Sequence, residues 1–152
     1  LAGSSAASDV YKRQDFIELT GLKKGDFGIE VTETAELNNL SLASLRLSSI
    51  KNLGVSIALD DFGAGYSALR YLKDLPIDLL KLDKSFTTEM AETHNQSLIQ
   101  IAKLMADSLS MEFICEGLEE EWQIEKAISL GCERGQGYFL HKPCSLEDLT
   151  NE

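Results

Sequence analysis

The chain is short of positive charge. Fourteen lysines and arginines face 25 aspartates and glutamates, for a formal net charge of −11 over 152 residues. Nucleic acid polymers would be repelled, and no basic cluster offsets the deficit. Cysteines number three. Cys115, Cys132 and Cys144 are odd in count and lack Cys-x-x-Cys spacing, which argues against a disulfide framework or a zinc site and fits reduced thiols in a cytoplasmic domain. No apolar run reaches the roughly 18 residues that a membrane span needs, and no charged-then-apolar signal peptide opens the chain. With only two prolines and 43% hydrophobic residues, the chain can bury one core in one domain.

Leu1–Gln14 stands apart from the rest of the chain. It is small and polar without periodicity, and the run from Ser4 to Gln14 resembles translated sequencing-adaptor read-through. It is set aside from the fold as a non-native leader, the alternative being a disordered terminus. The native chain is then expected to continue upstream of Asp15.

What is present is a repeating unit. A short apolar strand ends in a polar or acidic residue, and a loop and an amphipathic helix come after it. The pattern predicts strands near 27–31, 55–59, 78–82, 111–115 and 133–137, with helices near 41–53, 66–74, 94–109 and 119–130. Ala43, Leu47 and Ile50 step by four and three, as do Leu98, Ile101, Met105 and Leu109, and each set reads as a buried helical stripe. Gly54 and Gly131 come after leucines at helix ends, where a left-handed cap favours glycine. Pro76 stops the helix before the third strand. Alternating strands and helices imply a parallel sheet with helices outside.

The run Ile57-Ala58-Leu59-Asp60-Asp61-Phe62-Gly63 carries the most information. Two adjacent carboxylates at the end of an apolar strand repel, and burying them without counter-charge costs several kcal/mol. A hard divalent cation, Mg²⁺ or Mn²⁺, would make the pair tolerable. Capping of a helix or holding of a turn by the aspartates is the plain alternative. The other strands end in the same way: Glu30 near the end of the first, Lys81 and Asp83 at the third, Glu116 at the fourth, and Gln136 in the fifth. Such residues lie on the catalytic face of a (β/α)₈ barrel or in the ligand crevice of an open doubly wound sheet. One or two polar strand ends are explained as caps; five are not.

Glu30-Val31-Thr32-Glu33, Asp60-Asp61-Phe62-Gly63-Ala64-Gly65-Tyr66-Ser67, Lys81-Leu82-Asp83, Glu116-Gly117-Leu118-Glu119, Gln136-Gly137-Tyr138 and Lys142-Pro143 occur in this order. Together they resemble the bacterial EAL domain, a cyclic di-GMP phosphodiesterase on a modified TIM barrel, over about residues 15–150. The resemblance implies an α/β fold: a partial TIM-type (β/α) barrel of about five parallel strands with outer helices and its N-terminal strands missing. It implies Glu30 and Asp60 as ligands of one Mg²⁺ or Mn²⁺ and Asp61 as a ligand of a second. Lys81 would hold the attacking water or a phosphate oxygen, and Glu116 would be the general base or its metal-linked equivalent. Glu33 would anchor the loop Phe62–Ser67, which the family also ties to homodimer contacts. Glu119, Gln136 and Asp83 would be supporting or substrate-side groups.

Two metals held by carboxylates suit phosphodiester hydrolysis, since they supply a nucleophile and relieve phosphoryl charge. Ala64, Cys115 and Glu120 depart from the family pattern without removing a named site residue. The glutamate of the naming Glu-Ala-Leu segment and the asparagine of the next strand do not occur in the sequence. A full barrel takes about 250 residues. The chain is therefore expected to be the C-terminal part of a domain whose parent hydrolyses cyclic di-GMP to linear pGpG, and to be inactive and marginally folded alone. The alternative is a degenerate EAL domain that binds cyclic di-GMP or a protein without hydrolysis. A third reading, a different Mg²⁺-dependent TIM-barrel enzyme, does not explain Glu30-x-x-Glu33 and Glu116-x-x-Glu119 together. A cytoplasmic location is expected, with any membrane anchor residing in other domains of the parent.

Overall fold

The computed structural model describes residues 27–32, 40–65, 72–145 and 148. Residues 1–14, Glu33, the end of the loop Phe62–Ser67 and most of the helix expected near 66–74 lie outside the described residues. Five strands are present: β1 (Gly28–Thr32), β2 (Ser56–Phe62), β3 (Leu79–Leu82), β4 (Glu112–Cys115) and β5 (Arg134–Gly135). The described helices are α1 (Leu40–Lys51), α2 (Lys84–Thr88), α3 (Thr93–Ser108) and α4 (Glu121–Ser129). The strand positions expected from periodicity hold. β5 is shorter than the expected 133–137, so Gln136 lies just past it.

All four strand pairs are parallel, and the spatial order β1-β2-β3-β4-β5 is the order in sequence. This order decides between the two architectures left open by the sequence. A doubly wound sheet reverses its strand order at the ligand crevice, and no reversal occurs here. With right-handed crossovers, sequential order places every connecting helix on one face, which is the wall of a (β/α) barrel. Among the described residues the sheet is not closed.

Alternation along each strand divides two environments. Ile57 and Leu59, Leu80 and Leu82, and Phe113 and Cys115 are buried in the core shared with the helices. Each fully buried Ile or Leu contributes roughly 1.5–3 kcal/mol. Glu30, Asp60 and Lys81 belong to the opposite set and meet on the other face.

On α1 the expected stripe holds: Leu47 is buried and Ala43 packs against the core. On α3 it does not. The buried positions are Asn95, Ile99, Ala102 and Ala106, whereas Leu98 and Ile101 are 44% and 62% exposed. Met105 and Leu109 pack only partly against the core. The reason is local. Asn95 Nδ2 donates to the Glu89 carbonyl and carboxylate, which turns a polar residue inward. The small side chains of Ala102 and Ala106 then let the helix approach the sheet. A count of large apolar residues selects the neighbouring face. Gly54 and Gly131 both have positive φ, as the expected left-handed caps require.

Candidate functional site

Lys81 is 4% exposed, and a buried ammonium must be paired. Its Nζ lies 2.8 Å from Glu30 Oε1, 2.8 Å from Asp60 Oδ1 and 2.8 Å from Glu116 Oε1. The three N–H donors of a lysine are therefore spent on three carboxylates from β1, β2 and the end of β4. Burial works against the Lys81 charge; hydrogen bonds to Asp60, Glu116 and Glu30 outweigh it and hold the ammonium above the ordinary lysine range. For Glu116 the balance falls against the charged form. Burial pushes its carboxyl up, and Lys81 pulls it back only in part.

Asp61 joins the cluster through an irregularity in β2. The β2–β3 register runs from Leu59↔Leu80 to Phe62↔Leu82. Two residues of β2, Asp60 and Asp61, thus oppose the single residue Lys81 of β3, which is a β-bulge. On a regular strand the two aspartates would point to opposite faces. Here Asp61 takes a left-handed φ of 55°, a conformation that Asp tolerates better than most residues. Ligand atoms of Asp60, Asp61 and Glu116 consequently lie within 4.8 Å of one another. Asp61 is exposed, while the Asp60 and Glu116 side chains are 20% and 16% exposed. The Glu30 side chain is 56% exposed.

Two glycines are required by the loops that leave these strand ends. Gly63 has a φ of 94°, and an added Cβ would sit 2.6 Å from the Phe86 ring. Gly117 has a φ of 68°, and its Cβ would lie 2.5 Å from that of Lys84. Both loops therefore run tight against α2 and its flank.

Among the other expected site residues, Asp83 caps α2: its Oδ1 accepts from the Ser85 N–H at 3.0 Å and from the Ser85 hydroxyl. Glu119 is exposed, and its backbone N–H donates to Gln123 Oε1 at 2.7 Å. The Gln136 side chain is exposed; its N–H donates to the Cys115 carbonyl and its carbonyl accepts from the Leu118 N–H.

Two residues that sequence reasoning missed hold the Glu116 loop. Buried Thr87 lies with its hydroxyl 2.6 Å from the Glu116 carbonyl oxygen and 2.8 Å from that of Lys84. Buried Gln123 donates to the Thr87 carbonyl and accepts from the N–H groups of Glu119 and Glu120. The Gln three residues after Glu120 is half of a capping-box pattern, the one signal in the sequence that pointed to it.

The donor set fits a hard cation. It is all oxygen, the carboxylates of Asp60, Asp61 and Glu116 converge, and one ammonium is shared by Glu30, Asp60 and Glu116. Net negative charge and oxygen ligands are what divalent magnesium, manganese or calcium select.

A family model described as the EAL domain matches residues 7–143. A cyclic di-GMP phosphodiesterase of Pseudomonas aeruginosa, NbdA, is 36% identical over 144 residues, covering 94% of this chain and 18% of NbdA. The EAL domain of Mycobacterium smegmatis DcpA superposes with a TM-score of 0.90 at 30% identity, covering 97% of this chain and 67% of that one. Klebsiella pneumoniae BlrP1, solved as a calcium and cyclic di-GMP complex, superposes at 0.82 with 27% identity, covering 89% of this chain and 34% of that one. The chain spans between 15% and 22% of the length of its curated relatives. Ordered strand-end motifs, the single-faced parallel sheet and these similarities agree: the chain belongs to the EAL domain family.

Proposed function

We propose that this chain carries the carboxylate and lysine half of a divalent-metal site that hydrolyses cyclic di-GMP to linear pGpG. The supporting observation is the convergence of Asp60, Asp61 and Glu116 within 4.8 Å, beside a lysine shared with Glu30. Glu30, Asp60 and Asp61 would hold Mg²⁺ or Mn²⁺. When bound, such ions supply an activated nucleophile and charge relief at the phosphoryl group. Lys81 provides a fixed positive charge where negative charge develops on the phosphoryl oxygens. Glu116, with its carboxyl pushed upward by burial, would serve as the general base or its metal-linked equivalent. Glu33, Glu119, Gln136 and Asp83 are assigned supporting or substrate-side positions.

In a protein that also carries the family's Glu-Ala-Leu glutamate and asparagine, Asp60→Asn should abolish Mn²⁺-dependent turnover with circular dichroism unchanged. Near wild-type turnover would remove Asp60 from the site. Residues 15–152 alone should give no pGpG, and the same residues joined to the N-terminal half of a relative's EAL domain should give it in a metal-dependent way. Turnover by residues 15–152 alone would show that their donors suffice.

A further inference from the structure

Cys115 ends β4, and Cys132 lies on the turn between α4 and β5. Their sulfurs are 3.3 Å apart, with Cys115 fully buried and Cys132 at 6% exposure. A disulfide requires about 2.05 Å, so the two sulfurs must approach by only about 1.3 Å. The turn has room for this. Gly131, next to Cys132, has nothing within 4 Å of where a Cβ would stand. A cavity of about 210 Å³ lined by Lys103, Glu133 and Arg134 among others opens beside the same turn. Glu133 and Arg134, the residues after Cys132, line that cavity, whereas the Cys132 side chain is buried. The hydrogen bond with Cys115 favours the Cys132 thiolate, the form that reacts; burial opposes it and the Lys103 ammonium adds to it.

We propose that Cys115 and Cys132 are a redox modification site, forming an intrachain disulfide on exposure to a peroxide and reverting with a dithiol. The Cys132 thiolate attacks one oxygen of hydrogen peroxide. An S–O bond forms, the O–O bond breaks, and the leaving hydroxide takes the proton the thiol gave up. The Cys115 sulfur then attacks the sulfenic sulfur. The S–S bond forms, the S–O bond breaks, and the second water leaves with the Cys115 proton. Two thiols and one peroxide give one disulfide and two waters; the sulfurs are oxidised and the peroxide oxygens reduced. Cys115 directly precedes Glu116, whose Oε1 lies 2.8 Å from Lys81. A displacement of about 1 Å at this strand end exceeds what such a hydrogen bond tolerates, so the bond couples to the acidic cluster.

The test uses the full chain carrying Cys144→Ser, which removes the exposed third thiol and leaves the core untouched. Treated with hydrogen peroxide under native conditions, it should lose the mass of two hydrogens and both titratable thiols. Proteolysis should yield one cross-linked peptide pair containing Cys115 and Cys132, released by dithiothreitol. Cross-linking should be at least about tenfold faster than in denaturant, because the fold holds the sulfurs together. Cys132→Ser in the same background should abolish the mass loss. Two surviving thiols, sulfinic acid on Cys132 without a cross-link, or equal rates in native and denaturing buffer would each overturn the proposal.

Discussion

Replacing Lys81 by methionine keeps most of the side-chain length and removes the charge that holds the cluster together. Glu30 is more than half exposed, and its loss of a partner is largely screened by water. Asp60 and Glu116 are different. Their side chains are 20% and 16% exposed, and with Lys81 gone they face each other unpaired. Two unit charges within 4.8 Å repel by about 3–4 kcal/mol at an effective dielectric near 20. Breaking a buried ion pair from one side costs about 3–5 kcal/mol in general. Against a typical total stability of about 5–15 kcal/mol, Lys81→Met should lose about 3–5 kcal/mol at neutral pH.

The loss should depend on pH with a definite sign. Burial already raises the Glu116 carboxyl above its unfolded value, and Lys81 opposes that rise. Without Lys81 the folded-state value climbs further. The folded chain then holds a proton that the unfolded chain releases. Stability is fully present below the ordinary carboxylate range and is lost as pH rises through the folded-state value. Urea unfolding followed by circular dichroism, near pH 5 and near pH 8, should show the larger deficit at the higher pH. Mn²⁺ should restore more stability to the variant than to the wild type, since it replaces the missing positive charge and binds only the folded site. Equal stability of variant and wild type near pH 8 without divalent ions would refute the reasoning that Lys81 is the cluster's counter-charge.

Asp61→Gly should relieve the left-handed backbone at φ 55°, which costs a non-glycine residue about 1–2 kcal/mol. The metal-free fold should then be as stable as wild type or more so, while Mn²⁺ affinity measured by calorimetry falls; unchanged affinity would remove Asp61 from the ligand set. Thr87→Val keeps the shape and leaves the buried Glu116 carbonyl without its hydroxyl donor, an expected loss of about 1–3 kcal/mol in urea unfolding. A neutral result would mean that another donor reaches that carbonyl. Gly117→Ala meets Lys84 Cβ at 2.5 Å in a left-handed conformation and should lower the thermal midpoint more than an alanine substitution at Gly131, where nothing lies within 4 Å. The reverse order would contradict the loop geometry.

The strand ends were legible because each carries its polar residue at one point of a repeating apolar pattern. Glu30, Asp60, Lys81 and Glu116 could be picked out without knowing how the strands pair. The inward turn of Asp61 could not. A bulge exists only relative to a partner strand, and it became visible when Asp60 and Asp61 were found opposite Lys81 alone. The face of α3 was missed for a related reason. Period selects several faces of a helix, and the choice among them was made by the bond from Asn95 to Glu89 and by small residues that permit close packing. Helix α2 is five residues long, too short for periodicity to register. The Thr87–Gln123 support and the Cys115–Cys132 approach join residues 36 and 17 positions apart; the capping-box spacing marks Gln123 but not its partner Thr87, and nothing local marks the cysteine pair.

The bulge and the lysine together explain how so acidic a cluster is accommodated at one end of the sheet. Four carboxylates crowd one end of the sheet, and hydrophobic packing lies on the opposite face. Where charge must be buried, one ammonium spreads its three donors over three strands, tying β1, β2 and β4 together through β3. The fourth carboxylate, Asp61, is left exposed on a bulge and needs no internal partner.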